Sequence, residues 1–329
     1  MKLQILVPQW QEDDKVIKPL LDSIELQQGV NLAEDISVII VNDGSDVHLS
    51  KKLLSKYSFK IDYYLHDHVG VSAIRNICLD YATADYVMFC DADDMFYSCL
   101  GLYMIFENIK NGFDTFTSVF FEDIYVNGSH YYKEHADDIT FVHGKVHRRQ
   151  YLIDNNIRWK EELTLHEDSY FNTLARLCTS NVVYSTSPFY LWKYNEKSET
   201  RSTPQWVAQT YEHFIKSNDY LISELTHRHK FQYAQINVVN LLYLTYVYFH
   251  QPGWIDVQTP EHRKLICDKL SEFYFKYGIF YVTASEDIKS QIMTTNKSKI
   301  LLQDAENIEM IPFDDWIKMV TSNTKQEQA

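Results

Sequence analysis

Short apolar runs alternate with helical patterns through the first hundred or so residues. Leu3-Gln4-Ile5-Leu6-Val7-Pro8 reads as a strand stopped by proline. From Asp13, the residues Val16, Ile17, Leu20, Leu21 and Ile24 recur on one helical face. Ile36 to Val41 is a second buried strand, and it runs into Asn42-Asp43-Gly44-Ser45-Asp46, a loop of strong turn formers. A helix is expected over Leu49–Tyr57, a strand over Ile61–Leu65 and a helix over Val71–Ala82. Tyr86-Val87-Met88 then leads into Phe89-Cys90-Asp91-Ala92-Asp93-Asp94. This βαβαβαβ order predicts an α/β fold with a mostly parallel sheet covered on both faces.

The rhythm changes after Ser98. A helix through Ile109 precedes two aromatic, β-branched runs, Phe116–Val126 and His130–Lys133, joined by Asn127-Gly128, which predicts a hairpin. Glu134 to Asp138 reads as a polar loop. Helices are expected over Lys145–Asn155 and Asp168–Cys178, with a short strand at Val182-Val183-Tyr184. From about Pro204 the pattern is almost wholly helical, and Thr321 to Ala329 is a polar tail. The expected division is an α/β domain over 1–202 and a helical C-terminal region over 203–329, for acceptor binding, oligomerisation or both.

Composition narrows the class. With 45% hydrophobic residues and a formal net charge of -14, the chain is a folded protein poorly suited to duplex nucleic acid, which needs a basic stripe. Five cysteines show no Cys-x-x-Cys pair, as expected of a reduced, cytoplasmic chain. The N-terminal apolar stretch is too brief for a signal peptide, and Val238–Phe249 is too short to span a bilayer. Loose attachment to a membrane surface stays open. The histidine pairs His66/His68, His143/His147 and His227/His229 match no zinc spacing.

The chemistry is concentrated at the strand ends, which a parallel sheet gathers on one edge. Three carboxylates, Asp91, Asp93 and Asp94, fall within four residues, and crowded carboxylates suit a hard divalent cation. Such a cation attracts a diphosphate; the bland alternative is an acidic helix cap. Trp10 is placed to stack on a base and Asp43 to accept from its imide N–H. Asp91 and Asp93 are placed to hold ribose and a metal-bound diphosphate, and Arg75 suits phosphate oxygens. Taken singly, Trp10 also reads as core, Asp43 as a turn residue and Arg75 as half of a surface ion pair.

These segments resemble the successive motifs of family-2 glycosyltransferases with a GT-A fold. The residues are Val7-Pro8-Gln9-Trp10-Gln11-Glu12, Val41-Asn42-Asp43-Gly44-Ser45, Gly70-Val71-Ser72-Ala73-Ile74-Arg75-Asn76 and Phe89 to Asp94. The likeness continues in His143 to Arg149, Ile157-Arg158-Trp159, Glu167-Asp168-Ser169-Tyr170-Phe171 and Tyr190-Leu191-Trp192-Lys193 with Ser198. It implies a nucleotide-sugar donor, usually a UDP-sugar, and inversion at the anomeric carbon. The donor-binding set carried across is Pro8, Gln9, Trp10, Glu12, Asp43, Gly44, Arg75, Asp91, Ala92 and Asp93. Asp91 and Asp93 would engage ribose and Mn2+ or Mg2+. Trp192 and Lys193 fall to the acceptor side. The chain departs from the family where Trp10-Gln11 replaces the common Tyr-Asn and Lys193 a common Arg.

Displacing a nucleoside diphosphate needs its charge neutralised, and the attacking hydroxyl must lose a proton to a base on the opposite side of the sugar. Asp168 is the candidate base and Glu167 the second choice; both also suit an ordinary acidic helix start. The implied partners are the nucleotide-sugar and a polysaccharide, teichoic-acid, lipid-linked or protein acceptor, with a homo-oligomer open. Trp159, Trp192 and Trp206 read either as acceptor platforms or as core. A haloacid-dehalogenase-like phosphoryl transferase also uses Asp-x-Asp, but Met95 stands where it needs Thr or Val. A nucleotidyltransferase needs a Gly-rich loop where Pro8-Gln9-Trp10-Gln11 stands. A non-catalytic nucleotide-sugar-binding or oligomeric module is the alternative from another class.

Overall fold

The computed structural model describes residues 2–196, 198, 206–251, 253–254, 257–300 and 309–322. The chain divides into two compact units, 1–196 and 197–329. The boundary expected at 202/203 lies outside the described residues, as do Pro204 and the tail beyond Ser322.

The strands of the first unit are β1 (Leu3–Gln9), β2 (Ile36–Asp43), β3 (Lys60–His66), β4 (Tyr86–Phe89), β5 (Met95–Phe96), β6 (Thr115–Val126), β7 (Ser129–His135), β8 (Lys145–Arg148) and β9 (Val182–Trp192). Its helices are α1 (Asp14–Glu25), α2 (Leu32–Asp35), α3 (Lys51–Leu54), α4 (Val71–Tyr81), α5 (Gly101–Ile109), α6 (Arg149–Asp154) and α7 (Glu167–Leu177). The strands form one sheet in the order β3-β2-β1-β4-β8-β6-β9-β5, with β7 paired to β6 off that path.

Pairing is parallel from β3 through β2 and β1 to β4. The carboxyl ends of β1, β2 and β4 therefore open on one edge, as the alternating pattern requires. β8 is antiparallel to both β4 and β6, so β6 also points its carboxyl end to that edge. There Asn127 (φ 52) and Gly128 (φ 82) make the two-residue hairpin turn, both in the left-handed region such turns demand. Leu3, Ile5, Val38, Ile40, Met88 and Phe116 sit in the fully buried core. Asp13 caps α1 by accepting from the backbone N–H groups of Lys15 and Val16.

Glu134 and His135, expected in a loop, pair with Phe121 and Phe120 as the end of β7, and three further elements differ from expectation. Lys145-Val146-His147-Arg148 opens not a helix but β8, because Val146 and His147 pair across to Phe116 and Thr115 while His147 also pairs with Val87. Long-range pairing here overrides local spacing, and helix begins only at Arg149. The strand expected at 182–184 runs on through Trp192, with a register shift at Ser118/Phe120 that absorbs its polar middle. The helix expected over Leu49–Tyr57 is one turn, Lys51–Leu54, capped by Ser50 Oγ accepting from Leu53 N.

The second unit is helical: α8 (Trp206–Gln209), α9 (Tyr211–His227), α10 (Phe231–His250), α11 (Pro260–Thr283), α12 (Glu286–Ile300) and α13 (Phe313–Ser322). Leu221, Ile222 and Leu225 from α9 are buried, as are Val238, Val239, Leu241 and Leu242 from α10. The Tyr211 hydroxyl bonds Thr245 Oγ1 at 2.9 Å inside this core. Among the described residues no helix is long and apolar enough to cross a membrane.

Candidate active site

At the end of β2, Asn42 knots the loop by donating to the Ser45 and Val47 carbonyls (3.2 and 3.0 Å) and accepting from Ser45 N (2.7 Å). The knot brings Gly44 (φ +71) so near the next segment that a Cβ would lie 2.4 Å from His68 N. Only glycine fits. Asp43 is buried, and its carboxylate accepts from Val69 N (2.7 Å) and Gly70 N (3.0 Å), with His68 Nδ1 at 3.1 Å.

The β1 end lies alongside. Trp10 is 51% exposed, and its ring stands 5.9 Å from that of His68, tilted by 32°. Gln11 takes a left-handed φ of 66° and donates its N–H to Ser45 Oγ, tying the β1 loop to the β2 loop. Gln9 turns inward: its amide donates to the Glu12 and Val47 carbonyls and accepts from the Tyr63 hydroxyl. Pro8 is half-buried in the strand before it. Glu12 Oε2 accepts from Trp10 N at 2.5 Å.

Carboxylates crowd beyond β4. Burial pushes Glu12 up to about 7, with Asp93 and Asp91 adding to the effect. Asp93 also rises, chiefly through burial, while Asn195 Nδ2 steadies it at 2.7 Å. Asp94 is fully buried and accepts from the Tyr190 hydroxyl (2.6 Å) and Lys193 N (3.0 Å). His143 Nδ1 lies 3.4 Å from the same carboxylate, and burial drives that imidazole down to about 3. Ala92 is buried between its acidic neighbours. Among the described residues, Asp91, Asp94 and His143 bring ligand atoms within 4.8 Å of one another. Two carboxylates and an uncharged imidazole that converge in this way make a donor set that fits a hard divalent cation.

The start of α7 reaches this cluster through Arg75. His166 precedes it at φ +59, a left-handed value unusual for a residue with a side chain. Glu167 is held by Arg75 Nη1 at 2.7 Å, while Arg75 Nη2 reaches Asp91 Oδ1 at 2.9 Å. Burial works against the Arg75 charge, and Asp91 and Glu167 more than offset it. The guanidinium lies 4.5 Å over Trp159, which stacks on Phe171 at 4.2 Å and 5°. Asp168 accepts from its neighbour Ser169 N (2.7 Å); burial, then the Glu167 charge, push it up to about 8.

The sheet edge thus gathers Trp10, Glu12, Asp43, Gly44, Asp91 and Asp93, and Arg75 joins that edge to Glu167-Asp168. Arg75 is buried between two carboxylates rather than extended towards solvent. Trp159 is core. Trp192 packs half-buried against His143 at 5.1 Å, and Lys193 contributes its backbone N–H to Asp94. The sequence offers His68 only as half of the pair His66/His68, and it points to neither Asn195 nor the Tyr190–Asp94 bond. Tyr190 lies in a recognisable motif, but nothing local marks His68 or Asn195.

A sequence profile described as glycosyl transferase family 2 matches residues 4–188. The chain belongs to that family. Over 292 residues it is 23% identical to the poly(ribitol-phosphate) beta-N-acetylglucosaminyltransferase TarS of Staphylococcus aureus, covering 78% of this chain and 48% of TarS. It is 25% identical over 233 residues to the glycosyltransferase GlyA of Streptococcus pneumoniae, covering 63% and 32%. The chain thus spans about half the length of TarS, and less of GlyA. In fold it resembles the crystal structure of S. aureus TarS 1-349 in complex with UDP (TM-score 0.66, 17% identity, 99% of this chain and 92% of that one). It also resembles the mannosyltransferase PcManGT of Pyrobaculum calidifontis in complex with GDP-Man and Mn2+ (TM-score 0.51, 12% identity, 99% and 87%). The fold is GT-A, with a mixed, mostly parallel sheet and a helical C-terminal region.

Proposed function

We propose that this family-2 glycosyltransferase transfers a sugar from a UDP-sugar to a hydroxyl of a glycan-type acceptor, with inversion at the anomeric carbon. One observation carries the reading: Arg75 joins Asp91, on the edge where the donor strands end, to Glu167, the neighbour of Asp168 at the start of α7. Donor-side and acceptor-side carboxylates then face one reaction space.

Trp10 stacks on the base with His68 beside it, and the Asp43 carboxylate, oriented by two backbone amides, keeps acceptor capacity for the base imide. Gly44 allows the backbone to approach. Asp91 and Asp93 would hold a divalent cation, Mn2+ or Mg2+, with Asp94 and His143 gathered beside Asp91. When bound, that ion neutralises charge on the departing diphosphate. Glu167 is fixed by Arg75, which leaves Asp168 to take the acceptor proton. A carboxylate raised to about 8 is a stronger proton acceptor than an ordinary one. A single displacement with one base inverts the anomeric centre.

TarS structures with UDP and with UDP-GlcNAc support a uridine nucleotide, and the Mn2+ of PcManGT supports a metal. The TarS name points to a teichoic-acid-type acceptor, within the wider class of polysaccharide and lipid-linked acceptors. A UDP-sugar panel assayed for UDP release with Mn2+ or Mg2+, followed by a glycan-acceptor panel, tests the reading. Metal-dependent release from one donor is expected. UDP binding without release from any donor would make the chain a binding module.

A further inference from the structure

Lys145 opens β8 with a side chain only 3% exposed, and no step above uses it. Its ammonium lies 3.2 Å from Asp138 Oδ1 and 3.5 Å from the His143 carbonyl, near the Phe120 ring. A buried ammonium is costly unless paired, and Asp138 supplies the pair. Asp138 is itself fixed by Thr140 N, Thr140 Oγ1 and Phe141 N, each at 2.9 Å. The segment is bolted to α7 by one side chain: Asn172 Nδ2 donates to the Thr140 carbonyl (2.9 Å) and to the Asp168 carbonyl (3.0 Å), one helical turn back.

We propose that Lys145 and Asp138 form a positioning pair for Asp168, bracing the segment 138–145 against the first turn of α7 and setting the field at its carboxylate. This rests on Asp168 being the proton acceptor proposed above. Charge acts on Asp168 from Glu167 on its own helix, from Arg75 on α4, from Asp138 in the segment before β8 and from Lys145 on β8. Lys145 favours the anion and Asp138 disfavours it. The two members therefore act in opposite senses on proton affinity, whereas as mere braces they would act alike.

That difference supplies the test. In the full chain labelled with carboxyl-13C aspartate, the Asp168 resonance is assigned by its loss in Asp168→Asn and followed through a pH titration. Lys145→Met should raise its midpoint by about one unit, and Asp138→Asn should lower it by about one unit. UDP affinity in Mn2+ should stay within about two-fold of the parent, as neither side chain is among the proposed donor-binding residues. The acid limb of UDP-GlcNAc hydrolysis should move with each midpoint. Midpoints that stay put, or move in the same direction, overturn the proposal. Should Lys145→Met not fold, an unmoved or raised midpoint in Asp138→Asn overturns it alone. A parent protein that releases no UDP would instead refute the function, and the resonance titration would still judge the pair.

Discussion

Arg75 Nη1 lies 2.7 Å from Glu167 Oε1, joining residues 92 positions apart through one buried guanidinium. Its other arm holds Asp91. Removing it leaves Glu167 uncompensated in a buried setting, frees the partly exposed Asp91 and strips a cation from the Trp159 face. Arg75→Met should cost about 3–5 kcal/mol of stability, measured by urea unfolding. Arg75→Lys keeps the charge without the fork and should recover only part of it. A loss within the scatter of surface variants would show that the bridge holds nothing.

Proton affinity at Asp168 sets an expected pH profile. As a base it must be deprotonated, so turnover should rise as pH passes upward through about 8 and level off above. The same raised value has a stability consequence of defined sign. The folded state holds this proton more tightly than the unfolded chain, so the stabilisation is complete below the unfolded value of about 4 and is lost as pH rises through about 8. Profiles of kcat/KM against pH, set beside Asp168→Asn, check the first statement; urea titrations at pH 5 and 9 check the second.

Gly44→Ala places a methyl 2.4 Å from a backbone nitrogen at a left-handed φ. The β2 loop or the His68 segment must then shift, and both carry the proposed base slot. UDP affinity should fall about ten-fold or more, at a stability cost of about 1–3 kcal/mol. Isothermal titration with UDP reads the first and urea unfolding the second.

Asp91 and Asp93 as the proposed cation ligands, with Glu12 in their field, predict that a divalent cation stabilises the fold. Mn2+ in excess should raise Tm by a few degrees, roughly 2–4 °C, as expected for a ligand that binds only the folded state. The rise should be larger at pH 8 than at pH 6, because Glu12 ionises near about 7. Asp93→Asn should abolish the rise, and chelation should reverse it in the parent protein.

Much of this is legible in the sequence. Period and punctuation mark β1, β2 and β4, and the geometry of parallel strand ends puts Trp10, Asp43 and Asp91 on one edge. What stayed hidden depends on partners far away in sequence. Lys145 to Arg148 carries spacing compatible with a helix and becomes strand only because β4 and β6 lie on either side of it. Arg75 reads as a phosphate ligand from its residue type, yet its burial against Trp159 and its two carboxylate partners come from α4 packing beside α7. His68 has no local signature at all; it matters because Gly44 lets the chain pass beside it.

The most direct test of the account compares Asp168→Asn with the parent protein, measuring UDP affinity and metal-dependent UDP-sugar turnover on the same preparations. The prediction is turnover reduced at least about a thousand-fold, with UDP affinity within about two-fold of the parent. Near-parental turnover, or donor affinity lost in step with activity, would contradict it.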